Sequence, residues 1–162
     1  MTANTLLAID AGITCGFAFF CLESHQLLRY RSHNYGNVVR LRRAAASFLA
    51  DEPSVRAIIL EGGGVIADVW VKPARHRTIP IQLITAEQWR ADALLPRDQR
   101  RGYIAKKAAI TSARQQINDH ATKRSKALRD DTAEAIMVGE WALERISELF
   151  PALNEGREPN ER

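Results

Sequence analysis

The hydrophobic pattern divides the chain into short apolar runs followed by longer stretches of helical spacing. Leu6–Phe20 has the pattern of two strands joined by a glycine-containing turn, and Leu27–Arg31 can add a third strand. The run at Val55–Glu61 is apolar enough for a central strand of a parallel sheet, and Ile79–Ile84 predicts a fifth strand. We therefore expect a five-stranded sheet.

Helical periodicity fills the intervals between these strands. Apolar residues recur every three or four positions in Val38–Ala50, in a short segment after Thr85 that ends near Leu95, and in Tyr103–Ile117. The last helix is expected from about Asp131 to Leu149, before Pro151. Gly62–Arg77 contains three glycines and a basic run, and we expect a mobile loop that faces the substrate.

Strands that alternate with helices predict one α/β domain, residues 1–153, and a disordered tail, residues 154–162. The chain has 162 residues, 46% of them hydrophobic and 26% charged, which is typical of a globular protein. We expect no membrane span and no signal peptide. Cys15 and Cys21 are too far apart on extended chain to bridge, and a cytoplasmic location is expected.

Carboxylates end two of the predicted strands. Asp10 follows Leu6–Ile9 and is itself followed by Gly12; Glu61 ends its strand and precedes three glycines. Acids at these positions do little for stability. Glycines beside them allow a ligand to approach the backbone.

A second acidic pair opens the last predicted helix. Asp131 and Glu134 are three residues apart, so they share one helix face. They could form a capping box. If they instead meet Asp10 and Glu61, each pair of charges about 5 Å apart costs roughly 3 kcal/mol at an effective dielectric of about 20. Divalent cations would offset that repulsion, and oxygen ligands favour Mg²⁺ or Mn²⁺.

Three motifs in this order resemble the RuvC-type Holliday junction resolvases of the RNase H-like superfamily. They are Ile9-Asp10-Ala-Gly-Ile-Thr, Glu61 at a strand end, and Asp131-Thr-Ala-Glu134. Thr85-Ala-Glu-Gln-Trp89-Arg is similar to the strand-to-helix junction of bacteriophage-type members. The resemblance implies an RNase H-like α/β fold, with a central mixed five-stranded sheet flanked by helices.

The resemblance also implies an activity. Four catalytic and metal-binding acids, Asp10, Glu61, Asp131 and Glu134, would hold two Mg²⁺ ions, for which Mn²⁺ may substitute, with Asp10 shared between the ions. A homodimer would cut a DNA four-way junction by paired nicks that leave 5′ phosphates and 3′ hydroxyls. The family spacing selects Asp131 over Asp130, which is left with a capping or supporting role.

Basic residues bracket the acids along the chain. They are either ordinary solvated surface or a cationic rim that binds the DNA backbone. The candidates for such a rim are Lys72, Arg75, Arg77, Arg100, Arg101, Lys106, Lys107, Lys123, Arg124, Lys126 and Arg129. Trp89 is expected in the core, whereas Trp70 could be a core residue or could stack on an unpaired base.

Two features depart from the family pattern. Gly62–Ile79 is shorter than the long helix and loops that build the family's dimer interface, and Gly64 replaces an aromatic residue. The alternatives are a general RNase H-like or YqgF-type nuclease, a non-catalytic nucleic-acid-binding module on the same fold, and an actin-like phosphotransferase. The last normally needs over twice this length.

Overall fold

The computed structural model describes residues 4–93, 110–115, 117 and 129–153. Five strands occur in this part of the chain: β1 (Thr5–Asp10), β2 (Thr14–Cys21), β3 (Leu27–Asn34), β4 (Val55–Glu61) and β5 (Ile81–Ile84). The helices are α1 (Val38–Ala50), α2 (Gly64–His76), α3 (Ala86–Ala93), α4 (Asp130–Glu144) and α5 (Ile146–Leu149). A 3₁₀ turn covers Pro151–Leu153, and residues 110–115 are also helical.

The strands form one mixed sheet in the order β3-β2-β1-β4-β5. The first three strands are antiparallel neighbours, while β4 lies parallel to both β1 and β5. The expected α/β fold with a mixed five-stranded sheet is confirmed. Because β1, β4 and β5 are parallel, their carboxyl ends meet at one edge of the sheet.

Two apolar layers cover the sheet. On one face, Leu6, Ala8 and Phe20 pack with α4, and on the other, Leu7, Phe17 and Phe19 pack with α1 and α2. Period-two alternation along β1 and β2 produces this division, since successive side chains point to opposite faces. Both layers are completely shielded from solvent at most positions.

The segment after β4 differs from the sequence-based expectation. Residues 64–76 form the 13-residue helix α2 instead of a loop, and Trp70 on it is fully buried. The Trp70 ring packs edge-on against Phe17 and Phe48, 5.5 and 5.4 Å between ring centroids. The base-stacking role for Trp70 is therefore wrong, and its alternative, core packing, is what the structure shows.

Two smaller expectations can also be compared with the structure. The start of α4 is not a capping box, because its N-cap residue is Arg129 and no side chain caps the helix. Cys15 and Cys21 are both buried free thiols, as expected. The predicted loop 118–128 and the predicted tail 154–162 lie outside the described residues.

No helix in the described ranges has both the length and the apolar character needed to cross a membrane.

Candidate active site

Asp10 and Glu61 are direct neighbours in the sheet. They are register partners at the carboxyl ends of the parallel strands β1 and β4. Adjacent strands lie about 4.8 Å apart, and paired residues project to the same face. The sheet geometry therefore brings these two carboxylates together.

Gly16 brings the third acid to the same place. It pairs with Asp10 across β1 and β2. A Cβ on Gly16 would lie 1.9 Å from the backbone oxygen of Asp131. Only glycine lets the first turn of α4 approach the strand this closely. Asp131 is thereby held against the strand pair that carries Asp10.

All four predicted acids line one open pocket. Its other lining residues are Gly12, Thr14, Arg90, Arg129 and Asp130. Glu134 lies one turn along α4 from Asp131 and is 5% exposed, a degree of burial that a carboxylate reaches only with partners. The helix carries both acids into the pocket because they are three residues apart.

The electrostatics of the pocket are those of crowded like charges. Burial is the largest cause that raises the pKa of Asp10 to about 8. Repulsion from Glu134, Glu61 and Asp131 and a hydrogen bond with the Glu134 side chain supply the rest of this pKa increase. A second charge placed beside Asp10 is therefore unfavourable unless a cation accompanies it.

Three side chains that the sequence analysis did not assign to the site hold these carboxylates. Trp89 donates its indole N–H to Glu61, with 2.6 Å between Nε1 and Oε2. Arg90 donates to Glu134 and forms an ion pair with it. The hydroxyl of Ser32 donates to Asp131.

Trp89 and Arg90 lie in α3, which follows β5 directly. The carboxyl ends of parallel strands are where α/β folds bind their ligands. Their position after the strand Ile81–Ile84 was therefore a usable signal. Which carboxylate each one would contact depends on how α3 crosses the sheet, and the sequence does not contain that information. Ser32 gave no such signal, since it is an isolated serine in a polar strand.

The donor set fits hard divalent cations, because it contains only carboxylate oxygens with a buried, destabilised charge at its centre. Within ranges 4–93, 110–115, 117 and 129–153, however, no three His, Cys, Asp or Glu side chains are already arranged around one point as metal ligands. The carboxylates are instead held by Trp89, Arg90 and Ser32. A cation would have to share Glu134 with Arg90 or displace it.

The predicted basic rim is only partly described. Arg129 is exposed and lines the pocket, with its Nε 3.7 Å from Asp131 Oδ1. By contrast, α2 runs away from the pocket for about 20 Å. Thr78 and Pro80, just beyond it, line a cleft together with Asn4 and Arg56, at the amino ends of β1 and β4.

The structure therefore does not bring Arg75 and Arg77 to the carboxylates, and Lys72 lies in the half of α2 away from them. The remaining candidates lie outside the described residues: Arg100, Arg101, Lys106, Lys107, Lys123, Arg124 and Lys126.

Comparison with solved structures identifies the architecture. RuvC of T. thermophilus in complex with a Holliday junction substrate superposes with a TM-score of 0.64, at 12% identity, over 89% of this chain and 95% of that one. The chain has a RuvC-type fold. A second structure of Thermus thermophilus RuvC gives a TM-score of 0.61 at 14% identity, over 90% and 97% of the two chains.

A yeast mitochondrial protein is also similar in structure to this chain. The yeast mitochondrial Holliday junction resolvase Ydc2 matches with a TM-score of 0.59 at 10% identity, over 94% of this chain and 84% of that one. No protein-family model and no curated protein sequence matches the chain. At such low identities the likeness establishes the fold alone.

Proposed function

We propose that this protein is a divalent-metal-dependent endonuclease that cuts branched DNA, with the four-way Holliday junction as its main substrate. The observation that carries the proposal is the convergence of Asp10, Glu61, Asp131 and Glu134 on one pocket at the carboxyl edge of a RuvC-type sheet. Three solved structures that share this fold are RuvC or a Holliday junction resolvase.

Each carboxylate has a proposed role that follows from its place. Asp10 lies between Glu61 on the neighbouring strand and the two acids of α4, so it is the residue best placed to be shared by two ions. Glu61 and Glu134 would each hold mainly one ion, and Asp131 would complete the set. Two Mg²⁺ ions, or Mn²⁺ in their place, would lower the pKa of an attacking water and offset charge on the leaving 3′ oxygen.

The neighbouring side chains set the geometry for that chemistry. Trp89 donates to one oxygen of Glu61 and Ser32 donates to one oxygen of Asp131, and these hydrogen bonds restrict the orientation of the two carboxylates. Arg90 and Arg129 add positive charge at the pocket wall and reduce the repulsion that a DNA phosphate meets there. Cleavage is proposed to leave 5′ phosphates and 3′ hydroxyls.

Resolution of a four-way junction needs two nicks placed symmetrically, so we further propose that the protein acts as a homodimer with two-fold symmetry. A location in the cytoplasm, with access to DNA, and membership of the bacteriophage-type branch complete the proposal. The proposed membership of the bacteriophage-type branch rests on the Thr85–Arg90 segment. Two of its residues, Trp89 and Arg90, donate hydrogen bonds to Glu61 and Glu134.

The test is a comparison of substrates. A synthetic four-way junction, a linear duplex of the same arm sequence and an RNA–DNA hybrid are incubated with the protein in Mg²⁺, in Mn²⁺ or in EDTA. Metal-dependent paired nicks in the junction, with 5′ phosphates, support the proposal. Preferential cleavage of the duplex or the hybrid would favour a general nuclease, and binding without cleavage would favour a non-catalytic module.

A further inference from the structure

A long segment of the chain, residues 24–50, contains arginines but no acidic residue. Between Glu23 and Asp51 there is no Asp or Glu, whereas five arginines occur, at positions 29, 31, 40, 42 and 43. This segment forms β3 and α1. The whole chain has 23 basic and 19 acidic residues, so this charge imbalance is local.

The end of β3 lies beside the carboxylate pocket. Its last residue, Asn34, pairs with Thr14, which lines the pocket. Two residues earlier, the Ser32 hydroxyl is bonded to Asp131. Because α1 begins only four residues after β3 ends, Arg40 in its first turn lies at this same end of the sheet.

Several of these arginines are free to bind a ligand. Arg29 pairs with Glu52, but no ion pair among the described residues involves Arg31, Arg40 or Arg43, and all three are exposed. The Arg31 guanidinium stacks 4.4 Å from the centroid of the Phe48 ring, which orders it without neutralising it. Arg40 and Arg43 are three residues apart and neighbours on α1.

The two edge strands of the sheet, β3 and β5, differ in charge. Strand β5, Ile81–Ile84, carries no charged residue, and Leu83 on it is 47% exposed. Arginines on an edge strand can simply prevent pairing with other chains, which would explain those in β3. That explanation does not cover Arg40 and Arg43, which lie on a helix.

We propose that Arg31, Arg40 and Arg43 form a phosphate-binding surface that receives a DNA arm where it passes from the carboxylate pocket around the β3 edge of the sheet. This inference rests on the proposed function and specifies which edge of the sheet the DNA crosses. Phosphates are repelled by the four carboxylates, so a DNA strand that enters the pocket needs cations along its approach. The β3–α1 arginines supply them at the β3 edge of the sheet: Arg40 lies at the end of the sheet that holds the pocket, and Arg31 packs on the α1 face, opposite the face that α4 covers.

The experiment compares two triple variants that remove equal charge. One is Arg31→Gln/Arg40→Gln/Arg43→Gln; the matched control is Lys72→Gln/Arg75→Gln/Arg77→Gln, which changes three exposed cations on or just after α2. Both are built in an Asp10→Asn background, to prevent cleavage. Binding to a fluorescein-labelled junction and to a linear duplex is measured by anisotropy at several salt concentrations in Mg²⁺.

We expect the β3–α1 variant to bind at least about tenfold more weakly near 0.1 M salt, with a log–log salt slope reduced by about 2.7, or 0.9 for each lost phosphate contact. The α2 control should bind DNA with the same affinity and the same salt slope as the Asp10→Asn parent. An Arg40→Gln/Arg43→Gln double variant, which leaves the stacked Arg31 intact, should lose about 1.8 from the slope. It tests the surface even if the triple variant unfolds.

Equal losses in the β3–α1 and α2 variants, or unchanged binding by the double variant, would overturn the proposal. Cleavage assays with Asp10 intact separate it from the proposed function. If the protein cuts junctions while the β3–α1 variant still binds normally, only the DNA path is wrong. If the Asp10→Asn parent binds no DNA and the Asp10 protein cuts none, both are wrong.

Discussion

The indole N–H of Trp89 is hydrogen-bonded to Glu61, with 2.6 Å between Nε1 and Oε2. Trp89 is fully buried, and so it holds this carboxylate from beneath the pocket. Partners of metal-ligating carboxylates keep those ligands oriented for the cation. Trp89 is thus a positioning residue for Glu61.

Replacement of Trp89 by phenylalanine keeps an aromatic ring in the core but removes the donor. We expect divalent-metal affinity to fall by about tenfold or more, the range found for such supporting residues. Trp141→Phe is a matched control, since its Nε1 donates to Asp92 at 2.8 Å, away from the four acids. Mn²⁺ titration followed by electron paramagnetic resonance measures both; equal affinity in the two variants would contradict the role.

The ion pair between Arg90 and Glu134 should contribute most to the free energy of unfolding when no metal is bound. The Glu134 side chain is 6% exposed, and Arg90 is its ion-pair partner among the described residues. We expect Arg90→Gln to lower the free energy of unfolding by about 2–4 kcal/mol in EDTA, because it leaves a buried charge unpaired. Added Mg²⁺ should recover part of this loss.

Urea unfolding with and without Mg²⁺ measures that effect, and Arg145→Gln is the control. Arg145 pairs with Asp92 and Glu144, which are both more exposed. Its loss should cost less than about 1 kcal/mol and should not respond to Mg²⁺. If the two variants lose the same free energy of unfolding and respond equally to Mg²⁺, Arg90 does not compensate the charge of Glu134 in the pocket.

Gly16 should be more critical for the site than a second glycine at the same helix–sheet interface. In Gly16→Ala the new Cβ meets backbone atoms of Asp131 and must displace the start of α4. In Gly139→Ala it meets the Phe20 ring, and no backbone atom of an acid in the pocket. Both should destabilise the fold by roughly 1–3 kcal/mol, the usual cost of overpacking.

Metal affinity separates the two glycine variants. Only Gly16→Ala should weaken Mn²⁺ binding at a temperature where both proteins remain folded, because only it moves Asp131. Equal Mn²⁺ affinity in the two variants would show that the close approach at Gly16 serves packing alone.

Stability without metal should depend on pH through Asp10, whose pKa is raised from 3.8 to about 8. Between these values the folded protein holds a proton that the unfolded chain has released. The contribution of Asp10 to the free energy of unfolding therefore falls as the pH rises from about 4 to about 8, and is level above that.

Asp10→Asn should flatten the decline in stability between pH 5 and pH 8 in EDTA and should raise the melting temperature at pH 8. The exposed Asp68 on α2 provides the control, Asp68→Asn. Thermal unfolding across this pH range measures both. An unchanged slope in Asp10→Asn would show that burial and the neighbouring carboxylates do not raise the pKa of Asp10.

The sequence predicted most of the fold because its local signals agreed. The bounds of Val38–Ala50 and Val55–Glu61 matched the observed α1 and β4 to the residue. Helix α2 was missed, although Ile66, Val69, Trp70 and Ala74 have helical spacing. Three glycines at its start, Gly62–Gly64, and Pro73 within it outweighed that pattern, yet the structure keeps Pro73 inside the helix, three residues before its end, where it removes one backbone N–H.

The four acids could be proposed from sequence because each lies at an element end whose position in the fold is predictable. Their partners could not. The Trp89–Glu61 and Arg90–Glu134 contacts join residues 28 and 44 positions apart. Such contacts depend on the crossing of α3 over the sheet, which side-chain packing decides and no local pattern encodes.

The most direct test of the carboxylate pocket is a count of the metal ions that it binds. Equilibrium titration of the wild-type protein with Mn²⁺, followed by electron paramagnetic resonance, should show two ions per chain, displaced by Mg²⁺. Asp10→Asn should lose at least one of them while keeping its fold and its DNA binding. The same number of ions and the same affinities in Asp10→Asn and wild type would contradict the proposal that these four acids form a metal-dependent nuclease site.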